Sequence, residues 1–258
     1  HKGYICLFVC MVTKVIHLEA VENLTTEAFL ADFKRFVSHR EIPQEVFSDN
    51  GMNFVGACEA LIRKLLQLRD SLNFVKQISW NHTPPNAPHF GGIWENGVKS
   101  VKAVLKNVYK TASLTIFEFY TLLCQNEAIL NSRPLYAHSS HPHELECLTP
   151  AHFMINRPLV GVAERSYIDV AENRLNRWQR IQQLRDQFWT RWSNEYLNEL
   201  QVRSKWITKQ ANVKPDMLVL MKEDNMPPQL WKMGRIVKTY TGPDGLVRVA
   251  EVFTKGGT

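Results

Sequence analysis

Two acidic motifs constrain the fold of this chain most strongly, because one lies at the end of a strand and the other at the start of a helix. In residues 47–51 (FSDNG), a short apolar strand ends at Asp49 and a turn follows. In residues 90–95 (FGGIWE), two glycines precede a helix that carries Glu95 in its first turn. Ligand sites in α/β proteins lie at the carboxyl ends of strands. We therefore predict an α/β fold in which Asp49 and Glu95 meet around one bound cation.

A row of lysines follows the second motif. Lys99, Lys102 and Lys106 lie four, seven and eleven residues after Glu95, so all four side chains share one helix face. A carboxylate next to a ladder of ammonium groups suits a site that holds a divalent cation and a phosphate backbone together. Each of these residues also has a structural interpretation as the alternative to a binding role. Asp49 would be a turn aspartate, Glu95 a carboxylate that stabilises a helix start, and the lysines a solvated helix face.

The remaining N-terminal elements are predicted from hydrophobic periodicity. Residues 4–13 are apolar on both faces, which is typical of a central strand, and residues 15–21 form a second strand that makes an antiparallel hairpin with it. A helix then begins at Thr25 or Thr26 and ends before Pro43. The later elements are a strand at 46–47, a helix with its apolar stripe at 54–68, a strand at 78–80, a proline-rich loop at 82–89, the Glu95 helix and a helix at 116–131.

The C-terminal half changes character. Residues 132–171 read as irregular, and residues 173–203 form a long amphipathic helix whose apolar stripe packs against the first domain or a second subunit. Three strands follow between residues 216 and 252. The predicted domains are a core at 1–131, a connector at 132–171, the long helix at 172–206 and a small, incomplete β-barrel at 207–258.

Composition narrows the class of protein. Among 258 residues, 45% are hydrophobic and 22% charged, which is sufficient for a globular core, and the net charge of +6 favours an anionic partner. The five cysteines lack zinc-finger spacing and are odd in number, so we expect reduced thiols in an intracellular protein. No apolar run has the length of a membrane span.

Together, the element order and the motifs resemble the ribonuclease H-like core of retroviral-type integrases. The Asp49 turn with Asn53 and Phe54 resembles the second catalytic aspartate of that family, and GIWE at 92–95 resembles its third carboxylate. Further motifs resemble integrases of BEL/Pao long-terminal-repeat retrotransposons, and together they cover essentially the whole chain. These are HLE at 17–19, NSRPL at 131–135, LTPAHF at 148–153 and WTRWSNEYL at 189–197.

The resemblance implies a polynucleotidyl transferase that processes element DNA ends and joins them to target DNA. It implies a ribonuclease H-like mixed sheet with flanking helices, then the long helix and the small C-terminal β-barrel. Three carboxylates would hold two Mg²⁺ ions, for which Mn²⁺ could substitute. Asp49 and Glu95 would supply two of the three carboxylates. The partners would be double-stranded DNA and further copies of the chain, and the protein would act in the nucleus after release from a Pol polyprotein.

We assign DNA contacts to several residues beyond the metal site. Asn86 and His89 lie in the loop before Glu95 and are assigned to the DNA end, with loop packing as the alternative. Trp231, Lys232 and Arg235 are candidates for contact with the DNA backbone, and core packing is the favoured interpretation of Trp231. The complete set is Lys99, Lys102, Lys106, Asn86, His89, Lys232 and Arg235. The histidines 138, 141 and 143 are expected in an exposed loop rather than a metal site.

The chain also departs from the family pattern. The first catalytic aspartate of the family lies on a strand before the opening hairpin, and that strand and the zinc-binding N-terminal module have no counterpart here; Glu19 does not match that motif. We therefore expect two of three metal ligands and no activity from this chain alone. The alternatives are a decayed or domesticated copy that binds DNA without catalysis, and a ribonuclease H-like nuclease that cuts without joining.

Overall fold

The computed structural model describes residues 3–68, 78–82, 92–109, 112–139, 141, 144–162, 164–200, 212–224 and 226–255, with backbone only for 64–68 and 92–100. The chain divides into two compact units. Unit 1 comprises His1–Val12, Ile16–Lys99 and Leu114–Cys124, and unit 2 comprises Thr13–Val15, Ser100–Ser113 and Gln125–Thr258.

Unit 1 opens with the predicted antiparallel hairpin. Strand β1 (Tyr4–Val9) pairs with β2 (Ile16–Val21), and Phe8 lies opposite His17. Strand β2 is almost entirely buried, whereas β1 is half-buried along its whole length. The expectation that β1 is covered on both faces is therefore wrong for the described residues, in which β1 and β2 form a two-stranded sheet.

Helix α1 (Thr26–Arg40) begins and ends where the local signals predict. The side chain of Thr25 accepts a hydrogen bond from the amide of Ala28 at 3.2 Å, which caps the first turn. The helix ends three residues before Pro43, whose ring disfavours helical geometry in the residue before it. Its apolar face packs Phe29 and Phe33 into the core of unit 1, and burial of each ring contributes about 2 kcal/mol.

A parallel strand pair organises the rest of unit 1. Strand β3 (Glu45–Ser48) pairs with β4 (Ser79–His82) in parallel, and Ser48 lies opposite His82. Parallel neighbours need a crossover, which includes helix α2 (Met52–Leu68). The carboxyl ends of both strands therefore lie at the same edge of this small sheet.

Two further helices follow β4. Helix α3 (Gly92–Tyr109) buries four residues at helical spacing, which are Val101, Val104, Leu105 and Val108. Helix α4 (Ile116–Asn131) has the predicted bounds, and Thr115 and Glu118 exchange side-chain-to-amide bonds of 3.3 and 2.7 Å in a capping box. Its leucines are buried as predicted, whereas Phe119 is half-buried.

The segment predicted to be irregular contains little regular structure in the described residues. Strand β5 (Tyr136–Ala137) pairs with β6 (Cys147–Leu148), and helix α5 (His152–Ile155) is a single turn. Arg133 fastens the start of this segment, because its guanidinium donates to the carbonyl oxygens of Leu130 and Lys14, both at 2.7 Å.

Helix α6 (Arg177–Leu200) follows a 3₁₀ turn at Glu172–Arg174 and has a broader buried face than its apolar stripe predicts. Gln183 donates to the carbonyl oxygens of Tyr167 and Val170 at 2.9 and 2.7 Å. Arg185 pairs with Asp186 and with Glu164. The residues just before α6 therefore cover part of its surface within unit 2.

The C-terminal strands form an open antiparallel sheet in the described residues. Strands β7 (Leu218–Leu220), β8 (Met233–Thr241) and β9 (Val247–Phe253) lie in that order, and a turn at Gly245, whose φ is +75°, joins the last two. Positive φ suits glycine, which has no Cβ. Closure of this sheet into a barrel stays a prediction. In the described part of the chain, no helix is both long and apolar enough to span a bilayer.

Candidate functional site

Asp49 lies directly after β3 and is exposed to solvent. Its Oδ1 accepts a hydrogen bond from the amide of Gly51 at 2.9 Å, which makes the aspartate part of a tight turn. This bond occupies one lone pair, and a carboxylate offers about four acceptor positions. The turn role considered for Asp49 is therefore present, and it leaves carboxylate oxygen capacity for a ligand.

Neighbouring side chains pack closely around Gly51. A Cβ at this position would lie 2.8 Å from Oδ1 of Asn53, 3.0 Å from Oδ1 of Asp49 and 3.2 Å from the ring of Phe54. The carbonyl of Gly51 also accepts from the amides of Phe54 and Val55, which starts helix α2. The turn, the carboxylate and the helix start are thus built as one tightly packed piece.

The adjacent strand β4 supplies a second set of polar contacts to this edge. The indole Nε1 of Trp80 donates to the hydroxyl of Ser48 at 2.9 Å, and the hydroxyl donates to the carbonyl oxygen of Asp49 at 3.0 Å. The Nδ1 of His82 lies 3.3 Å from the same hydroxyl. Side chains of β4 therefore connect directly to the residue that precedes Asp49.

The second predicted ligand, Glu95, lies on α3, but its side chain is outside the described residues, as is that of Lys99. Asn86 and His89 also lie outside the described residues. The described backbone gives the starting point of this segment. Because Ser48 is opposite His82 in a parallel pair, the chain that leads from β4 to α3 departs beside Asp49.

Lys102 and Lys106 lie on the solvent-exposed face of α3, whereas the intervening Val104 and Leu105 are buried. This amphipathic arrangement leaves both ammonium groups accessible to a phosphate backbone. A purely solvated face would look the same, so their contact with DNA stays a prediction.

The two residues near the C-terminal sheet that were assigned to DNA contact, Lys232 and Arg235, differ in their exposure and in their partners. Lys232 is half-buried and pairs with Glu223. Arg235 is only 4% exposed, and its guanidinium donates to the carbonyl oxygens of Asp216, Ser139 and Glu144 at 2.6, 3.2 and 2.8 Å.

The assignment of Arg235 to DNA contact is therefore wrong for this structure. Its charged group is buried and already binds three backbone carbonyls, so it fastens Ser139 and Glu144 to the C-terminal sheet. The location of Arg235 on a predicted strand of a positively charged protein does not indicate that its side chain is buried.

Trp231 packs inside unit 2, which supports its interpretation as a core residue. Its ring lies edge-on to Trp189, Trp192 and Tyr196, at centroid distances of 4.9, 5.8 and 5.5 Å. Its indole nitrogen donates to the hydroxyl of Ser132 at 3.2 Å. The aromatic stripe of α6 therefore packs against Trp231 within unit 2.

The other candidate ligand groups form no site in the described residues. No cluster of histidine, cysteine and acidic side chains there has metal-binding geometry, and His143 lies outside them. The five cysteines are free thiols, as predicted. Burial raises the pKa of Cys147 to about 11, so this thiol stays protonated and unreactive at neutral pH.

A buried ionic cluster in unit 1 was not predicted. The carboxylate of Glu19 is fully buried and accepts from Arg35 Nε at 2.8 Å and from the Tyr120 hydroxyl at 3.1 Å, with His17 Nε2 at 3.0 Å. Asp32 shares the same arginine. Burial, followed by the charge of Glu19, raises the pKa of Tyr120.

A sequence signal for this cluster exists, although it is weak. His17 and Glu19 are two residues apart on a strand and so share a face. The sequence alone does not show that α1 and α4 supply the partners of Glu19.

Comparisons with known proteins give a match to one family model over part of the chain and a similarity to solved structures. A model of a family of unknown function, DUF5641, matches residues 176–258. No curated protein matches the chain. Among solved structures, the chain is similar to one from a simian T-cell lymphotropic virus intasome in complex with the PP2A regulatory subunit B56 gamma.

The structural similarity covers 92% of this chain and 67% of the viral chain, with 12% sequence identity and a TM-score of 0.43. A TM-score at this level does not establish a shared fold.

Proposed function

We propose that this chain is a retroviral-type integrase of the BEL/Pao class, a polynucleotidyl transferase that joins element DNA ends to target DNA. One observation carries the proposal. Asp49 is exposed at the end of β3, and the parallel register of Ser48 with His82 makes the segment leading to Glu95 depart from the same edge. Carboxylates delivered to one edge of an α/β sheet form a ligand site.

Asp49 and Glu95 would hold Mg²⁺ at this edge. The geometry of Asp49 fits such an ion, because the carboxylate is exposed and accepts a hydrogen bond from the neutral amide of Gly51. Mg²⁺ prefers oxygen ligands of this kind and shares them with substrate phosphates. The bound ion would neutralise developing charge at the phosphorus being attacked.

Lysine side chains of α3 would orient the DNA. Lys102 and Lys106 present ammonium groups on the exposed face of α3, and Lys99 continues the same face by its spacing. Such contacts position a phosphate backbone without reading its sequence. The net charge of +6 favours the same partner at longer range.

A product assay separates this function from its alternatives. End-labelled duplex DNA is incubated with Mg²⁺ or Mn²⁺ and with a protein that contains this chain. Products longer than the substrate are expected from an integrase and vanish with Asp49→Asn or Glu95→Gln. Shorter products alone would instead identify a nuclease, and DNA binding without any product would identify an inactive remnant.

A further inference from the structure

We propose that Ser48 is a positioning residue for Asp49, held in place by Trp80 and His82. The inference rests on the proposed function, because a fixed aspartate matters most where it must hold a cation. Ser48 belongs to the motif at residues 47–51, but the motif assigns no role to Ser48, Trp80 or His82. Ser48 does not face the cation in this scheme; it acts through the main chain of its neighbour.

The Ser48 hydroxyl lies within hydrogen-bonding distance of three neighbouring groups. A hydroxyl has one proton and two lone pairs. The indole of Trp80 is a donor only, so its bond at 2.9 Å uses one lone pair. The hydroxyl proton then goes to the carbonyl oxygen of Asp49 at 3.0 Å. The second lone pair faces Nδ1 of His82 at 3.3 Å, which donates in the tautomer with hydrogen on that nitrogen.

Asp49 is thereby held at two points. Its carbonyl oxygen accepts from Ser48, which fixes the peptide plane leading out of β3. Its side-chain Oδ1 accepts from the amide of Gly51, which fixes the carboxylate relative to the turn. A carboxylate held in advance loses less freedom when it binds a cation, so binding is tighter.

The support for this arrangement reaches the core of unit 1. The ring of Trp80 packs against Phe29 and Phe33, at centroid distances of 6.1 and 5.8 Å, and also stacks on the ring of His82. Because Phe29 and Phe33 are buried, the donor of the first hydrogen bond is anchored in a rigid part of the protein. The exposed end of β3 is therefore tied to the core through a side chain of β4.

Direct Mn²⁺ binding tests the proposal without an activity measurement. The free ion is followed by electron paramagnetic resonance as it is titrated with the 258-residue protein. We expect Ser48→Ala to weaken binding about fivefold, which corresponds to the loss of one ordinary hydrogen bond. Ser48→Thr keeps the hydroxyl and should restore the parent affinity. Ser79→Ala, an exposed serine on the neighbouring strand, is the matched control and should bind as the parent does.

The outcomes distinguish failure of this inference from failure of the proposed function. If Asp49→Asn abolishes binding while Ser48→Ala binds like the parent, the positioning role is overturned and the metal assignment stands. If the parent does not bind Mn²⁺, or Asp49→Asn binds as well as the parent, both are overturned.

A second variant guards against misfolding. Trp80→Phe removes the indole N–H but keeps an aromatic ring against Phe29 and Phe33, and circular dichroism checks that it folds. It should weaken Mn²⁺ binding in the same direction as Ser48→Ala. Parent affinity in this variant would show that the Trp80 bond does not position Asp49.

Discussion

Asparagine in place of Asp32 is expected to remove a pH dependence of stability that the buried ionic cluster imposes. Asp32 is 1% exposed, and its Oδ1 pairs with Arg35 while its Oδ2 has no hydrogen-bond partner. The same guanidinium also binds Glu19 at 2.8 Å. One cation therefore serves two buried carboxylates, and the ionised form of Asp32 is incompletely compensated.

The size and sign of the effect follow from the pKa of Asp32. Burial raises this pKa from 3.8 to about 6; Arg35 opposes the rise, and Glu19 adds to it. A group whose pKa is higher in the folded state stabilises the fold when protonated. The contribution is fully present below pH 3.8 and is lost as the pH rises through about 6. At about 1.4 kcal/mol per pKa unit, the loss amounts to at most about 3 kcal/mol.

Urea unfolding, followed by tryptophan fluorescence between pH 4 and pH 8, measures this difference. Asparagine cannot ionise, and its carbonyl oxygen can still accept from Arg35. We therefore expect the stability of Asp32→Asn relative to the parent to rise by up to about 3 kcal/mol as the pH increases across this range. The exposed Asp169→Asn serves as the matched control and should keep the parent profile. Parallel profiles for the parent and Asp32→Asn would refute the reasoning.

Three further changes test other parts of the structure. Gly51→Ala should crowd Oδ1 of Asp49, and we therefore expect it to destabilise the protein by about 1–3 kcal/mol in urea unfolding and to weaken Mn²⁺ binding. Values like those of the parent in both measurements would contradict the packing of the turn. Replacing Lys102 and Lys106 together by alanine should reduce the salt slope of DNA binding by about two, measured by fluorescence anisotropy, and an unchanged slope would favour a solvated face. Arg235→Leu should lower the free energy of unfolding in urea by about 3 kcal/mol or more, because buried carbonyls lose their donor. The same variant should leave the salt slope of DNA binding unchanged, and a lower slope would restore Arg235 as a DNA contact.

Elements governed by local signals could be predicted closely from the sequence. Helix α4 has the predicted bounds because a threonine and a glutamate three residues apart form a capping box at its start. The β1–β2 hairpin and the cap of α1 at Thr25 likewise depend on neighbouring residues. In each case the responsible side chain lies within a few positions of the backbone that it organises.

Features that depend on distant partners could not be predicted in the same way. Arg235 was assigned to DNA because it is basic and lies on a strand, yet its partners Ser139 and Glu144 are roughly ninety residues away in sequence. The buried face of α6 includes Gln183, whose partners lie in the segment before the helix. Nothing in the local pattern indicates which polar side chains a distant segment will cover.

Glu19 and Asp49 show how environment decides what a carboxylate can do. Both lie on or beside strands of unit 1, and both belong to motifs that resemble integrases. The carboxylate of Glu19 is fully buried and held by Arg35 and Tyr120, so a cation there would have to displace a guanidinium.

Asp49 is exposed, and in the described part of the chain no lysine or arginine forms an ion pair with it. Its bond to the amide of Gly51 carries no net charge that would repel Mg²⁺. The two carboxylates therefore differ in electrostatic surroundings much more than in chemistry. That difference, rather than the motif alone, makes Asp49 the residue on which the proposed metal site depends.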